Sequence, residues 1–321
     1  MKKYLLLALG LLAASLASGA AAETWPTRPV KLIVGFAPGG PTDIFARLIG
    51  QKLAEATGQN FFVENLKGAG GNIGTGRAAQ SPPDGYTVLV TGGNLTNNPF
   101  LFEHVPFDPL KDFDAVTLAA MTPVVLGVHP SVPAHSVKEL VDLIRATPGK
   151  FSYASPGTGT PPQLVGALFQ HELKLDLVHV PFEGGGNAVL ATVANHTPIS
   201  FGALAPAVPL IQDGKLRALA VTGKERAPTL PDVPTMAEAG FPEVEGFTWT
   251  AVVVPAGTPK EITAKLHGLV VAALAQPDVK EKLAAIAYVP IGNSPEECAA
   301  FFKGEMAKWG PVIKAAGLKA E

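Results

Sequence analysis

Two short stretches carry residue types and spacings suited to holding an anion. The first is Phe36-Ala37-Pro38-Gly39-Gly40-Pro41-Thr42-Asp43, which follows an apolar run and precedes a helical pattern. In open parallel sheets, ligands gather at the carboxyl ends of the strands. A glycine pair at such a point lets the backbone come close, and the unbonded amides of a helix start favour negative charge. Thr42 or Asp43 is the expected N-cap. The same residues also fit a plain turn, in which the glycines only make the bend and Asp43 only caps. The second stretch is Ser155-Pro156-Gly157-Thr158-Gly159-Thr160-Pro161, again small and hydroxyl-bearing, with Pro161 and Pro162 suited to a first helical turn. Two such turns, one in each half of the chain, suit the two ends of one ligand across a cleft.

Other chemistries find little support. Gly68-Ala69-Gly70-Gly71-Asn72-Ile73-Gly74 misses the dinucleotide spacing, because Ile73 holds the last glycine's place. A tight turn leading into a short helix accounts for it. Neither G-x-S-x-G nor H-E-x-x-H occurs, and the histidines are scattered, so no metal, cofactor or catalytic set is expected. His179 lies inside an apolar strand pattern (LVHVPF), where a hydrogen-bonded structural histidine is the expected role. A hydrolase pair of Ser155 with a remote histidine stays open, although no spacing points to it. Cys298 is the only cysteine, which rules out an intramolecular disulfide, and its helical context suits a buried, inert thiol.

The elements that must position these turns alternate along the chain. Residues 30–36, 61–66 and 86–91 read as strands, with helices over 43–57 and 72–80 between them. That alternation predicts parallel pairing with right-handed crossovers. A long, turn-rich segment follows over 92–109. The pattern restarts with strands over 124–129, 151–155, 177–182, 199–204 and 217–222, and helices over 137–146, 162–173 and 187–195. Ser136 with Glu139 reads as a capping box. A further strand over 248–254 leads to three helices, the last capped by Ser294 with Glu297. The first crossing between domains is expected near Met121 and the return near Phe247. This divides the chain into a discontinuous first domain (23–122 plus 247–321) and a second domain (123–246).

The first residues point to export. Met1-Lys2-Lys3 is a basic start, residues 5–16 are apolar but fall short of the ~20 a bilayer needs, and Ala20-Ala21-Ala22 suits a signal peptidase. Residues 1–22 are therefore an expected signal peptide, with a periplasmic chain starting at Glu23. Losing Lys2 and Lys3, two positive charges, moves the formal net charge from −2 to −4. A mildly acidic chain without a basic run is poorly suited to nucleic acid or anionic membrane. With 34 glycines, 30 prolines and only 16% charged residues, the 321-residue chain suits many short elements in about two domains.

Several long segments, in order, resemble the solute receptors of tripartite tricarboxylate transporters, also called Bug receptors. They include WPTRPVKLIVGFAPGGPTDIFAR (25–47), VENLKGAGGNIGT (63–75), PDGYTVLV (83–90), FSYASPGTGT (151–160) and VHVPFEGGG (178–186). GKLRALAVTGKERAPTLPDVPTMAEAGFP (214–242), VPAGTP (254–259) and AKWGPVIKAAG (307–317) complete the set. The resemblance implies an α/β, type II periplasmic-binding-protein clamshell, two Rossmann-like domains joined by two crossing strands, and no enzyme activity. It implies a small carboxylate held in the cleft largely by backbone amides and water. Carried onto this chain, the first-domain contacts are Phe36, Ala37, Pro38, Gly39, Gly40, Thr42, Asp43, Thr91, Gly92 and Asn94. The second-domain contacts are Ser155, Gly157, Thr158, Gly159, Thr160, Phe182 and Ala203. Inner-membrane transporter subunits, or a sensor kinase, are the implied partners of a monomeric receptor. Three departures stand out. Pro162-Gln163 replaces a histidine frequent in the family, and Glu183 replaces a frequent lysine. The end of the later strand, Phe201-Gly202-Ala203-Leu204, lacks a common acid. If that acid holds an amino group in amino-acid receptors, its absence favours a dicarboxylate or an aromatic carboxylate.

Overall fold

The computed structural model describes residues 25–182 and 184–320. The expected signal peptide and Glu183 lie outside the described residues. Strand β1 (Val30–Val34) leads through the glycine turn into helix α1 (Pro41–Thr57), then β2 (Phe61–Asn65), α2 (Asn72–Ala79), β3 (Thr87–Thr91) and α3 (Asn94–Leu101). β1 lies between β2 and β3, parallel to both, with Leu32 opposite Val63 and Val88. Helix α1 buries Phe45, Leu48, Ile49 and Leu53 on one face. It ends at Gly58, whose φ of 71° lets its amide reach back to Ala54 O.

Strand β4 (Phe113–Val128) carries the chain from one lobe to the other. Over Phe113 to Pro123 it pairs antiparallel with β9 (Phe247–Pro255), which in turn lies antiparallel to β3. From Val124 onward it pairs instead with β7 (Ile199–Ala203) and β8 (Arg217–Val221). The second lobe is built from α4 (Val137–Ala146), β5 (Phe151–Ser155), α5 (Pro161–Glu172), β6 (Leu177–Pro181), α6 (Gly185–Val193), β7, α7 (Leu204–Gln212) and β8. β5 runs parallel to both β6 and β7. The strand path is β2-β1-β3-β9-β4-β7-β5-β6. After β9 come α8 (Lys260–Leu274), α9 (Pro277–Ala285), the short β10 (Val289–Pro290) beside β4, and α10 (Pro295–Ala315).

Each lobe has its own core. Leu32, Phe45, Leu53, Val252 and Val270 pack in the first, and Leu126, Tyr153, Phe169 and Phe201 in the second. Helix α10 belongs to both. Its first half places Cys298 and Phe302 against Trp249 in the first lobe, while Trp309, Val312 and Ile313 join the second lobe's core.

The structure departs from the sequence reading in five places. Helix α1 is capped by Gly40 with Pro41 as its first residue, so Thr42 and Asp43 lie inside it and neither is the N-cap. Proline with its fixed φ starts the helix two or three residues earlier than a Thr42 or Asp43 cap would. The 92–109 segment contains α3, an Asn-rich helix with Pro99 inside it. Propensity disfavours that helix, but burial of Leu95, Thr96, Asn97 and Asn98 holds it. The 199–204 strand stops at Ala203, and α7 follows at once despite Pro209. β4 starts eleven residues earlier than expected, because bulges after Ala115 and Leu118 break the alternation that would reveal it. At α4, Ser136 Oγ accepts the Glu139 amide, but Glu139 Oε2 accepts from His135 N and not from Ser136 N. The reciprocal box forms at Ser294 and Glu297.

Candidate functional site

The first-lobe half of the site is a glycine turn braced from behind. Phe36, Ala37, Pro38 and Gly39 are exposed, whereas Asp43 retains only 2% of its surface. Gly39, at φ 85°, donates its amide to Asp43 Oδ2 at 2.9 Å. Arg47 Nε donates to the same oxygen and Arg47 Nη2 to Oδ1, both at 2.9 Å, and Asn65 Nδ2 donates to Oδ1 at 2.8 Å. Asn65 Nδ2 also reaches Phe36 O at 3.0 Å. Burial alone would raise the Asp43 pKa, but the bonds from Arg47, Gly39 and Asn65 and the guanidinium charge hold it below the usual carboxylate range. The Asp43 carboxylate is thus a strut, its charge met by Arg47, and Gly39 N–H is already committed. Ile44 N makes the first intrahelical bond, to Gly40 O, so the Thr42 and Asp43 amides lie outside the ladder.

Two more helix starts converge on this turn. At the end of β3, Thr91 Oγ1 and Gly92 N both donate to Asn94 Oδ1 at 3.2 Å, which fixes the carboxamide at the first turn of α3. Gly92 has no room for a side chain, since a Cβ would lie 2.8 Å from Trp249 O. The glycine-rich turn before α2 closes the third side. A Cβ on Gly71 would lie 2.8 Å from Asn94 Nδ2 and 3.4 Å from the Phe36 ring, and φ is 95° there. Asn98 Nδ2 pins this turn by donating to Gly70 O and Asn72 Oδ1. The sequence reading gave this turn no part in the site; its glycine run was the available signal.

The second lobe repeats the arrangement. Thr160 Oγ1 donates to Gly157 O at 2.7 Å, and Gly159 N donates to Gln163 Oε1 at 3.1 Å, leaving Thr158 exposed at the tip. Phe182 is half-buried and donates its amide to Ser155 O at 3.0 Å. A Cβ on Gly185, at the start of α6, would lie 3.6 Å from Pro206, 3.9 Å from Pro156 and 4.0 Å from Ala203. The start of α6 at Gly185 therefore meets the start of α7 and the β5–α5 turn at Pro156, as the start of α2 at Gly71 meets the start of α3 at Asn94 and the β1–α1 turn at Phe36. The lobes come together where a Cβ on Gly93 would stand 3.1 Å from Pro161 Cγ.

Ser155 and His179 do form a pair, with Oγ and Nε2 2.7 Å apart. It is not arranged as a nucleophile and base. Ser155 has no exposed surface, and no acid among the described residues bonds the other ring nitrogen. Burial pushes the His179 pKa down to about 4, so the ring is neutral at neutral pH. The hydrogen-bonded structural role expected for His179 is the one observed. Cys298 is fully buried, and its thiol is pushed up to about 12. Among the described residues, no group of three or more His, Cys, Asp or Glu side chains is placed to hold a metal. No described helix is long and apolar enough to cross a membrane.

Comparison with known proteins bears on the fold and the family. Residues 45–318 match the model of the tripartite tricarboxylate transporter family receptor. The chain is 33% identical to the protein BugT of Bordetella pertussis over 308 residues, covering 95% of this chain and 94% of that one. Among solved structures it is similar to R. palustris Rpa4515 with adipate, at 35% identity and a TM-score of 0.81, covering 92% and 99% of the two chains. It is also similar to MatC from Rhodopseudomonas palustris with bound malate, at 34% identity and a TM-score of 0.78, covering 90% and 100%.

Proposed function

The chain belongs to the tripartite tricarboxylate transporter receptor family, periplasmic solute-binding proteins and not enzymes, and on that premise we propose that it captures a small dicarboxylate or aromatic carboxylate between its lobes. The observation that carries this reading is the meeting of two helix starts with a strand-to-helix turn on each side, around Gly71 and Gly185, with Gly93 and Pro161 facing each other between them. Amides outside the helical ladders attract carboxylate oxygens without a cationic clamp. The adipate and malate of the two similar structures favour a dicarboxylate. Ala203, with no acid at the end of β7, favours a ligand without an amino group.

In this proposal residues 23–122 plus 247–321 and residues 123–246 are the two domains, with the end of α10 reaching across onto the second core. The carboxylate favours the closed form, because only there do both halves touch it. The closed monomer then delivers its ligand to the membrane subunits of a tripartite tricarboxylate-type transporter. Reading by a sensor kinase is the alternative output. Hydrogen exchange tests the site, using whichever of adipate, malate, citrate, terephthalate or nicotinate raises the melting temperature. Protection is expected in 36–43, 91–94 and 155–160 together. Protection confined to one lobe, or to neither, would overturn the reading.

A further inference from the structure

Ser155 Oγ is the hub of the second-lobe turn. It accepts the Gly157 amide at 3.3 Å, lies 3.3 Å from Gly157 O, and stands 2.7 Å from His179 Nε2. Gly157 O in turn anchors Thr160 through its hydroxyl at 2.7 Å. Removing the Ser155 bond therefore frees the segment from Gly157 to Thr160 at its origin. His179 reaches this hub from β6, where it pairs in register with Tyr153, two residues before Ser155 on the same face of β5. The two rings are 5.0 Å apart and tilted by 35°.

The hydrogen-bond roles follow from the donors present. Gly157 N–H can only donate, so Ser155 Oγ is an acceptor toward it and has its own hydrogen to give. The nearest acceptor is Nε2, much closer than Gly157 O, which assigns the proton on the imidazole to Nδ1. A protonated ring would turn Nε2 into a donor. Ser155 would then face two donors and swing its hydrogen away, and a positive charge would sit in a half-buried place. Among the described groups around it, Tyr153 is the titratable one; burial raises its hydroxyl pKa, so it stays neutral. Helix α5 brings Gly166 against the Tyr153 ring, and β7 brings Phe201 edge-on to it, neither of them charged.

We propose that His179 is a positioning residue for ligand capture: through Ser155 Oγ it holds the Gly157–Thr160 turn in the shape that meets the carboxylate. The inference rests on reading that turn as half of the carboxylate site. It makes binding sensitive to acid through a residue that does not touch the ligand.

Calorimetric titration with adipate and with malate tests it, on the wild type, His179→Gln and His179→Phe. At pH 7 the phenylalanine variant, which fills the space without the bond, is expected to bind about 2- to 13-fold more weakly, the worth of one neutral hydrogen bond. His179→Gln, which restores a partner for Ser155, is expected to recover most of the loss. The wild-type advantage over His179→Phe should shrink as pH falls from 7 to 4, where about half the rings are charged; the ligand's own titration is common to both and cancels. If His179→Phe does not fold, Ser155→Ala removes the same bond together with the acceptor of the Gly157 amide, and should show at least that loss. A folded variant with unchanged affinity, or a ratio independent of pH, would overturn the assignment while leaving the carboxylate site intact. A wild type that binds neither probe would overturn the reading on which the inference rests, and the inference with it.

Discussion

Asp43 Oδ2 accepts the Gly39 amide at 2.9 Å, so the carboxylate at the head of α1 holds the exposed glycine turn from within and does not face the cleft. An acid beside the proposed anion site is tolerable because Arg47 and Asn65 meet its charge.

Asp43→Ala should therefore destabilise the protein by about 1–3 kcal/mol, since it removes the charge-assisted hydrogen bonds donated by Gly39, Arg47 and Asn65. Because the folded-state pKa is below the ordinary 3.8, the stabilisation from Asp43 is present above that value and lost as pH falls through the folded pKa. Denaturant titrations at pH 7 and pH 3 should show the variant's deficit narrowing in acid. An equal deficit at both would contradict the strut.

Gly39→Val places a branched side chain at φ 85°, a conformation that costs on the order of 1–3 kcal/mol for such a residue. No heavy atom lies within 4 Å of the added Cβ, so the interior has no clash to absorb. Ligand affinity should fall by much more than stability does, as compared by calorimetry and thermal melting.

Thr158 is exposed at the tip of the second turn. Thr158→Ala should leave the melting temperature of the free protein unchanged within error. It should weaken carboxylate binding by about 1 kcal/mol if the hydroxyl reaches the ligand. A drop in melting temperature without ligand would give Thr158 a structural role instead.

Glu305 joins the two cores, its Oε2 accepting Trp249 Nε1 at 2.9 Å and Trp309 Nε1 at 3.1 Å. Burial raises its pKa, with Glu245 adding to the shift, against the opposing pull of both indoles and Lys308. A raised carboxyl pKa stabilises fully below the unfolded value and loses that contribution as pH rises through the folded value. Glu305→Gln keeps an acceptor for the indoles without a buried charge. Its unfolding midpoint should change less than the wild type's between pH 5 and pH 8, and equal slopes would contradict the account.

The strands next to the turns were legible because short apolar runs bounded by glycine and proline have few other readings. The two main turns were legible for the same reason, since Gly39 and Gly40 or Gly157 and Gly159 mark places where the backbone must bend at a strand end. Helices α3 and α7 were not. Asn94 to Asn98 and Pro209 argue against a helix locally, and only burial against the neighbouring turns decides the matter. The meeting of two helix starts with a strand-to-helix turn around Gly71 or Gly185 depends on contacts between residues far apart in the chain, which periodicity does not encode. His179 stood out as a polar residue in an apolar strand, but its partner, Ser155, lies 24 positions away.

The central claim is that the cleft holds a small carboxylate and leaves it chemically unchanged. A thermal-shift screen of residues 23–321 against C3–C6 dicarboxylates, citrate, terephthalate, nicotinate and acidic amino acids tests it most directly. The account predicts a clear rise with a dicarboxylate or an aromatic carboxylate, worth ~2.7 kcal/mol at a hundred times the dissociation constant, with the ligand recovered intact. A rise with the amino acids alone, or no rise with any carboxylate, would contradict it.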